Sequence, residues 1–174
     1  FPTRRSSDLR QPKYLFEALK LIEKEQTDGL HIELVGVDSP EIAEQIKEYG
    51  LEQLVSLKAS VDYLESLTLA KQSDLLLIID APGQNSPFLP SKLIDYIGAN
   101  RPIFGITPPG TSQKLIEEMG FAVADPTKPK EIAAKLSEMI SKARSGDLCR
   151  IPNHIRERYS VAVVGKQMQE LLSN

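Results

Sequence analysis

The sequence has few of the residues that mark redox, metal or membrane functions. Its single cysteine, Cys149, permits no internal disulfide, so a reducing compartment, the cytoplasm, is expected. Its two histidines, His31 and His154, have no partner at metal-ligand spacing, so no bound metal is predicted. No apolar run approaches the roughly 20 residues of a membrane-spanning helix. The sequence therefore argues against a disulfide scaffold, a metalloprotein and an integral membrane protein.

Charge and the common nucleotide motifs argue against two further classes. The net charge is -3 and the basic residues form no concentrated patch, so no nucleic-acid partner is predicted. The sequence lacks G-x-G-x-x-G, and GITPPGTS at 105–112 has only the spacing of a P-loop. Thr111 stands where that motif needs lysine, and Pro108 and Pro109 lack the N–H groups that would bind phosphate. We interpret this segment as a strand-to-helix turn.

The first nine residues, FPTRRSSDL, resemble the translation of a common sequencing-library adapter. We therefore expect residues 1–9 to be an artefactual extension and residues 10–174 to be one domain. A composition of 41% hydrophobic and 26% charged residues is typical of a globular domain with a sizeable core.

Helix-like and strand-like patterns alternate from Gln11 onward. Strands joined by helices predict right-handed crossovers and an α/β, Rossmann-like parallel sheet with helices on both faces. Capping-box spacing of Asp38 with Glu41, and of Asp62 with Glu65, predicts two helix starts. The segment SGDLCRIPN at 145–153 joins two final helices. Five strands are visible, at residues 30–36, 54–59, 74–80, 101–106 and 121–125.

The strand order of this fold implies that a strand is missing. In a doubly wound sheet of order 3-2-1-4-5-6 the first strand is central, and this chain begins, at Arg10, with the helix that should follow that strand. We therefore expect the strands at 30–36 and 74–80 to pair directly, to leave a gap, or to take up a substitute.

An unusually long loop follows the third visible strand. Residues 81–90 are ten loop-like positions, where strand-to-helix loops usually take roughly 2–6. Ligands of open parallel sheets lie at the carboxyl ends of the strands, which is where this loop lies. The PSKL helix start that follows has free N–H groups and Lys92 in its first turn, which suits a phosphate. The alternative is a surface loop that ends at a proline.

The segment PFLPSKLIDYIGANRPIFGITPPGTSQKLIEEMGFAV resembles the carboxyl-terminal half of a retaining, family-4-like GT-B glycosyltransferase. The resemblance extends from RQPKYLFEAL at 10–19 to RYSVAVVGKQMQELL at 158–172. It implies a donor-binding domain for a nucleotide-activated sugar, such as a UDP- or GDP-sugar. It implies no further cofactor and no bound metal.

The resemblance also assigns residues to the sugar and the ribose. The second glutamate of the family's paired-glutamate motif matches Asp95, which is then expected to accept hydrogen bonds from ribose hydroxyls. The first glutamate would fall at Pro87, which has no carboxylate. Ser86, or backbone N–H groups around Phe88 and Leu89, are the expected substitutes.

The resemblance also implies which residues contact the phosphates and the base. Ser91 and Lys92 begin the helix that would face the diphosphate. Arg10 or Lys13 matches the basic residue that follows the family's first strand. The base is expected against the loop after the third strand of the complete sheet, at Ser60 and Val61.

The implied activity is glycosyl transfer by a longer parent, with catalytic residues unassigned. The acceptor, whether a glycan, a lipid-linked molecule or a small molecule, would bind through the absent half, together with any peripheral membrane contact. This chain alone is then expected to bind a nucleotide and to be inactive. The alternatives are a nucleotide-sugar 2-epimerase of the same architecture and a non-catalytic, flavodoxin-like binding or signalling module.

Overall fold

The computed structural model describes residues 12–172, apart from the side chains at positions 167, 168, 171 and 172. The predicted extension at residues 1–9 and the phosphate candidate Arg10 lie outside the described residues. Helices and strands alternate along the chain as the sequence patterns predict. In chain order they are α1 Lys13–Leu19, α2 Lys24–Thr27, β1 Ile32–Val35, α3 Pro40–Glu48, β2 Val55–Lys58, α4 Tyr63–Gln72, β3 Leu76–Ile79, α5 Ser91–Ala99, β4 Ile103–Ile106, α6 Thr111–Glu118, β5 Val123–Ala124, α7 Pro129–Ser145, α8 Asn153–Arg158 and α9 Val161–Leu172.

The strands form two parallel sheets. β1 pairs with β2, with Ile32 opposite Val55. β3, β4 and β5 form the second sheet in that order, with Leu76 opposite Ile103. Parallel pairing throughout confirms the Rossmann-like α/β prediction. Within the described residues no strand joins β1 to β3, so the gap is the outcome that the structure shows.

Side-chain packing divides the core between the two faces of the second sheet. Phe104 and Ile106 belong to a cluster with α1 and α7, whereas Ile103 belongs to a cluster with α5 and α6. All four residues of β4 are buried, as expected for a parallel strand that is covered on both faces. The first cluster also contains Ile32 and Val55, so side chains of both sheets share one core.

Two helix starts test the predicted caps. The Asp62 carboxylate accepts a hydrogen bond from the Glu65 N–H at 2.8 Å, which confirms the cap of α4. The prediction for Asp38 is wrong. The side chain that caps α3 is Ser39, which accepts from the Ile42 N–H at 3.4 Å, because Pro40 occupies the first helical position and Ser39 directly precedes it.

Helix α8 was not predicted as a separate element. Its Ile155 is fully buried in the cluster with α5 and α6. Its Arg158 makes a bidentate pair with Glu118 of α6, at 2.9 and 2.6 Å, and this hydrogen bonding lowers the pKa of Glu118 below its usual value. The pair attaches α8 to the second sheet's helical layer.

Replacement of Gly105 is predicted to destabilise the fold. A Cβ at this position of β4 would lie 2.8 Å from Ile116 Cδ1 and 3.2 Å from Val123 Cγ2, inside the buried core. We expect Gly105→Ala to lower the free energy of unfolding by about 1–3 kcal/mol, the usual cost of overpacking. Urea unfolding at an unchanged m-value measures this change.

Gly98→Ala is the matched control. Gly98 lies within α5, and a Cβ there meets nothing within 4 Å. Alanine in an exposed helix interior should stabilise the protein by about 0.5–1 kcal/mol. Equal stability of Gly105→Ala and the unmodified chain would contradict tight packing between β4 and α6.

Candidate functional site

The long loop at 81–90 is hydrogen-bonded to the turn before α6. The Ser86 N–H donates to the Pro109 carbonyl at 2.9 Å, and the Thr111 N–H donates to the Ser86 carbonyl at 3.0 Å. These bonds form a parallel bridge between Ser86 and Gly110. The loop is thereby fixed at the carboxyl edge of the second sheet, and we call this pairing the loop clasp.

Side-chain bonds extend the loop clasp. The Ser112 hydroxyl donates to the Phe88 carbonyl at 3.0 Å, and the Ser86 hydroxyl accepts from the Phe88 N–H at 3.3 Å. The Phe88 side chain remains 47% exposed. Of the expected substitutes for the missing glutamate, Ser86 and the Phe88 N–H therefore already bond to each other within the loop, whereas the third is the Leu89 backbone.

Only glycine fits at position 110. A Cβ there would lie 2.0 Å from the Ser86 carbonyl oxygen, and the backbone φ of +150° is one that side-chain-bearing residues rarely adopt. The segment 105–112 thus forms the end of β4, a turn and the start of α6, as predicted. Gly110 permits the close approach of the two backbones, and the Pro109 carbonyl accepts the Ser86 N–H.

Three buried polar side chains lie at this same edge. Asp80 and Thr107 directly follow β3 and β4 and are 6% and 2% exposed, and Ser112 in the first turn of α6 is 3% exposed. Because side chains alternate along a strand, Thr107 lies on the face of Gly105, which contacts α6. Within the described residues the Thr107 hydroxyl has no hydrogen-bond partner, which costs about 1–3 kcal/mol. No sequence pattern singles out Thr107 beyond its place at a strand end.

The start of α5 provides backbone donors at this edge. The residue before the helix is Pro90, whose side chain cannot cap it. Ser91 and Lys92, the first two helical residues, are both exposed. The positive end of the helix dipole and the Lys92 ammonium group together favour an anion at this position.

Asp95 of α5 contacts a residue that the sequence patterns missed. The Tyr63 phenol, at the start of α4, donates a hydrogen bond to Asp95 Oδ1 at 2.9 Å. This bond raises the pKa of Tyr63 above its usual value, because ionisation of the phenol would both remove the donor and place two negative charges together. Asp95 is half-buried and Tyr63 is 61% exposed. Tyr63 follows Val61 by two residues, so the predicted base loop leads directly to it.

The other predicted contacts lie in the loop after β2, in the long loop at 81–90 and at the start of α1. Ser60 is exposed and Val61 half-buried in the loop between β2 and α4. A Cβ at Gly36 would lie 3.8 Å from Ser60 Oγ, so the loops after β1 and β2 are adjacent. Leu89 packs against the core cluster of α5 and α6. Lys13 is exposed and forms an ion pair within α1, with Glu17 at 3.8 Å.

A separate concave surface lies between α1 and the start of α7. This open groove of about 670 Å³ is lined by Glu17, Leu21 and residues 128–131. None of the predicted contact residues lines it. Concavity alone therefore does not locate the candidate site, which we identify from the loop clasp and the start of α5.

Residues 12–172 offer neither a metal centre nor a membrane span. This part of the chain contains no group of three or more histidine, cysteine, aspartate or glutamate side chains placed to hold a metal ion. No helix within it is both long and apolar enough to cross a membrane.

Solved glycosyltransferase structures share this fold. HepE of Anabaena, in complex with UDP, superposes with a TM-score of 0.71 at 19% identity over 98% of this chain and 47% of its own. The chain has the fold of one half of a GT-B glycosyltransferase. Sucrose-phosphate synthase from Thermosynechococcus elongatus superposes with a TM-score of 0.72 at 16% identity, over 95% of this chain and 42% of its own. WaaG, a glycosyltransferase involved in lipopolysaccharide biosynthesis, superposes with a TM-score of 0.63 at 17% identity, over 89% of this chain and 39% of its own.

The likeness to these structures is one of architecture. This chain spans less than half the length of each of the three. A search of protein-family profiles and a search of curated protein sequences both find no match. The likeness therefore shows the fold of this chain and leaves its ligand to the chemistry of its own residues.

Replacement of Gly110 is predicted to release the loop at 81–90. Because an added Cβ would collide with the Ser86 carbonyl, Gly110→Ala should break the loop clasp. We expect the Ser86 and Thr111 amides to exchange with solvent at least about tenfold faster, which corresponds to roughly 1.4 kcal/mol of lost local stability. Hydrogen exchange measured by NMR tests this.

Gly83→Ala is the control in the same loop. A Cβ at Gly83 meets nothing within 4 Å, so the exchange of both amides should be unchanged. Unchanged exchange in Gly110→Ala as well would mean that the loop clasp does not hold the loop.

Proposed function

We propose that this chain is the carboxyl-terminal, nucleotide-sugar-binding domain of a glycosyltransferase, comprising residues 10–174. The observation that carries the proposal is the arrangement of α5. Its uncapped start and Asp95 lie on one helix, at the rim beside the loop clasp. The UDP bound to HepE, a protein of the same fold, supports a nucleotide-sugar as the ligand class.

Helix geometry relates the phosphate and ribose contacts. Lys92 and Ser91 precede Asp95 by three and four residues, so all three lie on one side of α5. A rise of 1.5 Å per residue places their backbones roughly 4.5–6 Å before that of Asp95 along the axis. This separation suits a nucleotide whose ribose hydroxyls bind Asp95 while its phosphates bind the helix start.

The proposed chemistry is stabilisation of a leaving nucleoside diphosphate. As the bond to the sugar breaks, negative charge grows on the phosphate oxygens and the sugar becomes oxocarbenium-like. The N–H groups at the start of α5 and the Lys92 ammonium group would stabilise that charge, with Arg10 or Lys13 adding a further cation. No bound metal is needed for this role, and no cofactor besides the UDP- or GDP-sugar substrate.

The remaining parts of the reaction belong to the proposed parent enzyme. The acceptor, a glycan, a lipid-linked molecule or a small molecule, would bind a second half, which would also make any peripheral contact with a membrane. We expect this chain alone to bind nucleotide without catalysing transfer. The exposed thiol of Cys149 suits a reducing compartment, the cytoplasm.

Replacement of Asp95 tests the ribose contact. Asp95→Asn keeps the side-chain shape but removes the charge, and its amide nitrogen cannot accept a hydrogen bond. We expect the affinity for UDP, or for GDP if that is the nucleotide bound, to fall about tenfold in isothermal titration calorimetry, since charge-assisted hydrogen bonds are lost. Lys92→Ala should weaken binding more at low salt than at high salt, because it removes a charge–charge contact.

Glu52→Gln is the control for charge removal. Glu52 is exposed and lies before β2, at the opposite end of the strands from the candidate site, so its neutralisation should leave affinity unchanged. Failure of UDP and GDP to bind the unmodified chain would contradict the proposal and favour the flavodoxin-like module. Release of a 2-epimeric sugar from a UDP-sugar by the chain alone would favour the epimerase.

A further inference from the structure

Tyr63 combines a fixed hydroxyl with an exposed ring. Its phenol donates to Asp95 at 2.9 Å, yet the residue is 61% exposed. Burial of the ring therefore does not explain why the side chain takes this orientation. The bond to Asp95 holds an exposed aromatic residue at the candidate site.

The backbone beneath Tyr63 is also fixed. The preceding residue, Asp62, caps α4 by accepting from the Glu65 N–H at 2.8 Å. The Glu65 carboxylate in turn pairs with Lys58, at the end of β2, at 3.2 Å. Tyr63 is thus held at both its backbone and its hydroxyl before any ligand binds. Such preorganisation lowers the entropy cost of using a side chain in binding.

The covalent structure of a nucleotide relates this ring to the proposed ribose contact. The Tyr63 ring is one bond away from the oxygen that contacts Asp95. In a ribonucleotide the base is attached to the ribose carbon next to the one that bears the 2′-hydroxyl. A ribose bound at Asp95 therefore brings its base within reach of the Tyr63 ring.

We propose that Tyr63 is the stacking surface for the nucleobase and also positions the ribose-binding carboxylate. The phenol holds Asp95 through Oδ1, while the carboxylate retains lone pairs for ribose hydroxyls, since an ionised carboxyl group accepts about four hydrogen bonds. The ring face then stacks on the base, an interaction that every base can make. This inference rests on the proposed nucleotide-sugar function and adds a residue that the family resemblance did not assign.

Two substitutions separate the roles of the ring and the hydroxyl in the full chain. Tyr63→Leu removes both the ring and the hydroxyl, so the affinity for UDP should fall about tenfold. The affinity for ribose 5-phosphate, which has no base, should fall less, because only the positioning of Asp95 is lost. Tyr63→Phe keeps the ring and loses the hydrogen bond, so it should weaken UDP and ribose 5-phosphate by the same factor, about threefold. Leu64→Ala alters the adjacent side chain, which is 74% exposed, and should change neither affinity.

A fluorescence measurement tests stacking directly. The sequence contains no tryptophan, so Tyr63→Trp introduces the only indole of the chain. Stacking on the uracil ring should quench its emission on addition of UDP, and ribose 5-phosphate should leave it unchanged. A structural role limited to joining α4 and α5 would produce no base-dependent quenching.

The outcomes separate this inference from the proposed function. UDP binding that Tyr63→Leu leaves unchanged, together with unquenched emission from Tyr63→Trp, overturns the role of Tyr63 while the nucleotide site stands. Absence of UDP and GDP binding to the unmodified chain overturns both. If Tyr63→Leu does not fold, Tyr63→Phe and Tyr63→Trp still decide, because both keep an aromatic ring at the position.

Discussion

The hydrogen bonds between Ser86 and the turn at 109–111 constrain the whole candidate site. They fix a ten-residue connection at the edge of the second sheet, and α5 begins directly after it. The direction of α5 in turn orients Lys92 and Asp95. Gly110 makes the approach of the two backbones feasible, because any Cβ there would occupy the space of the Ser86 carbonyl oxygen. The contact between Ser86 and the turn at 109–111 is made by backbone atoms, so sequence motifs, which record side chains, do not reveal it.

The candidate site relies on preset donors more than on clustered charge. Helix N–H groups, the Ser86 hydroxyl and the exposed Lys92 lie near Pro87, where the resemblance to GT-B glycosyltransferases leads us to expect a glutamate. Such a site suits a ligand with many acceptor oxygens. Its geometry is held by the sheet and the loop clasp, so little rearrangement is required of the groups that would bind.

The sequence predicted local structure better than distant contacts. Apolar runs located all five strands, and the cap at Asp62 followed from spacing alone, because both depend on neighbouring residues. The Ser39 cap was missed because Asp38, one position earlier, has the capping-box spacing with Glu41. The Tyr63–Asp95 bond joins residues 32 positions apart, and no local pattern encodes it. The contact residues taken from family resemblance remain predictions, since their test requires a ligand.

The division of the strands into two sheets has a consequence for cooperativity. Within the described residues the sheets share a side-chain core but no backbone ladder, so either sheet can open without first breaking strand-to-strand hydrogen bonds to the other. Tyr63 begins the helix that leaves the first sheet, and Asp95 lies beyond the first strand of the second. A molecule held between these two side chains would add a second link beside the hydrogen bond that already joins Tyr63 to Asp95. Part of its binding free energy would then appear as a sharper, more nearly all-or-none unfolding transition.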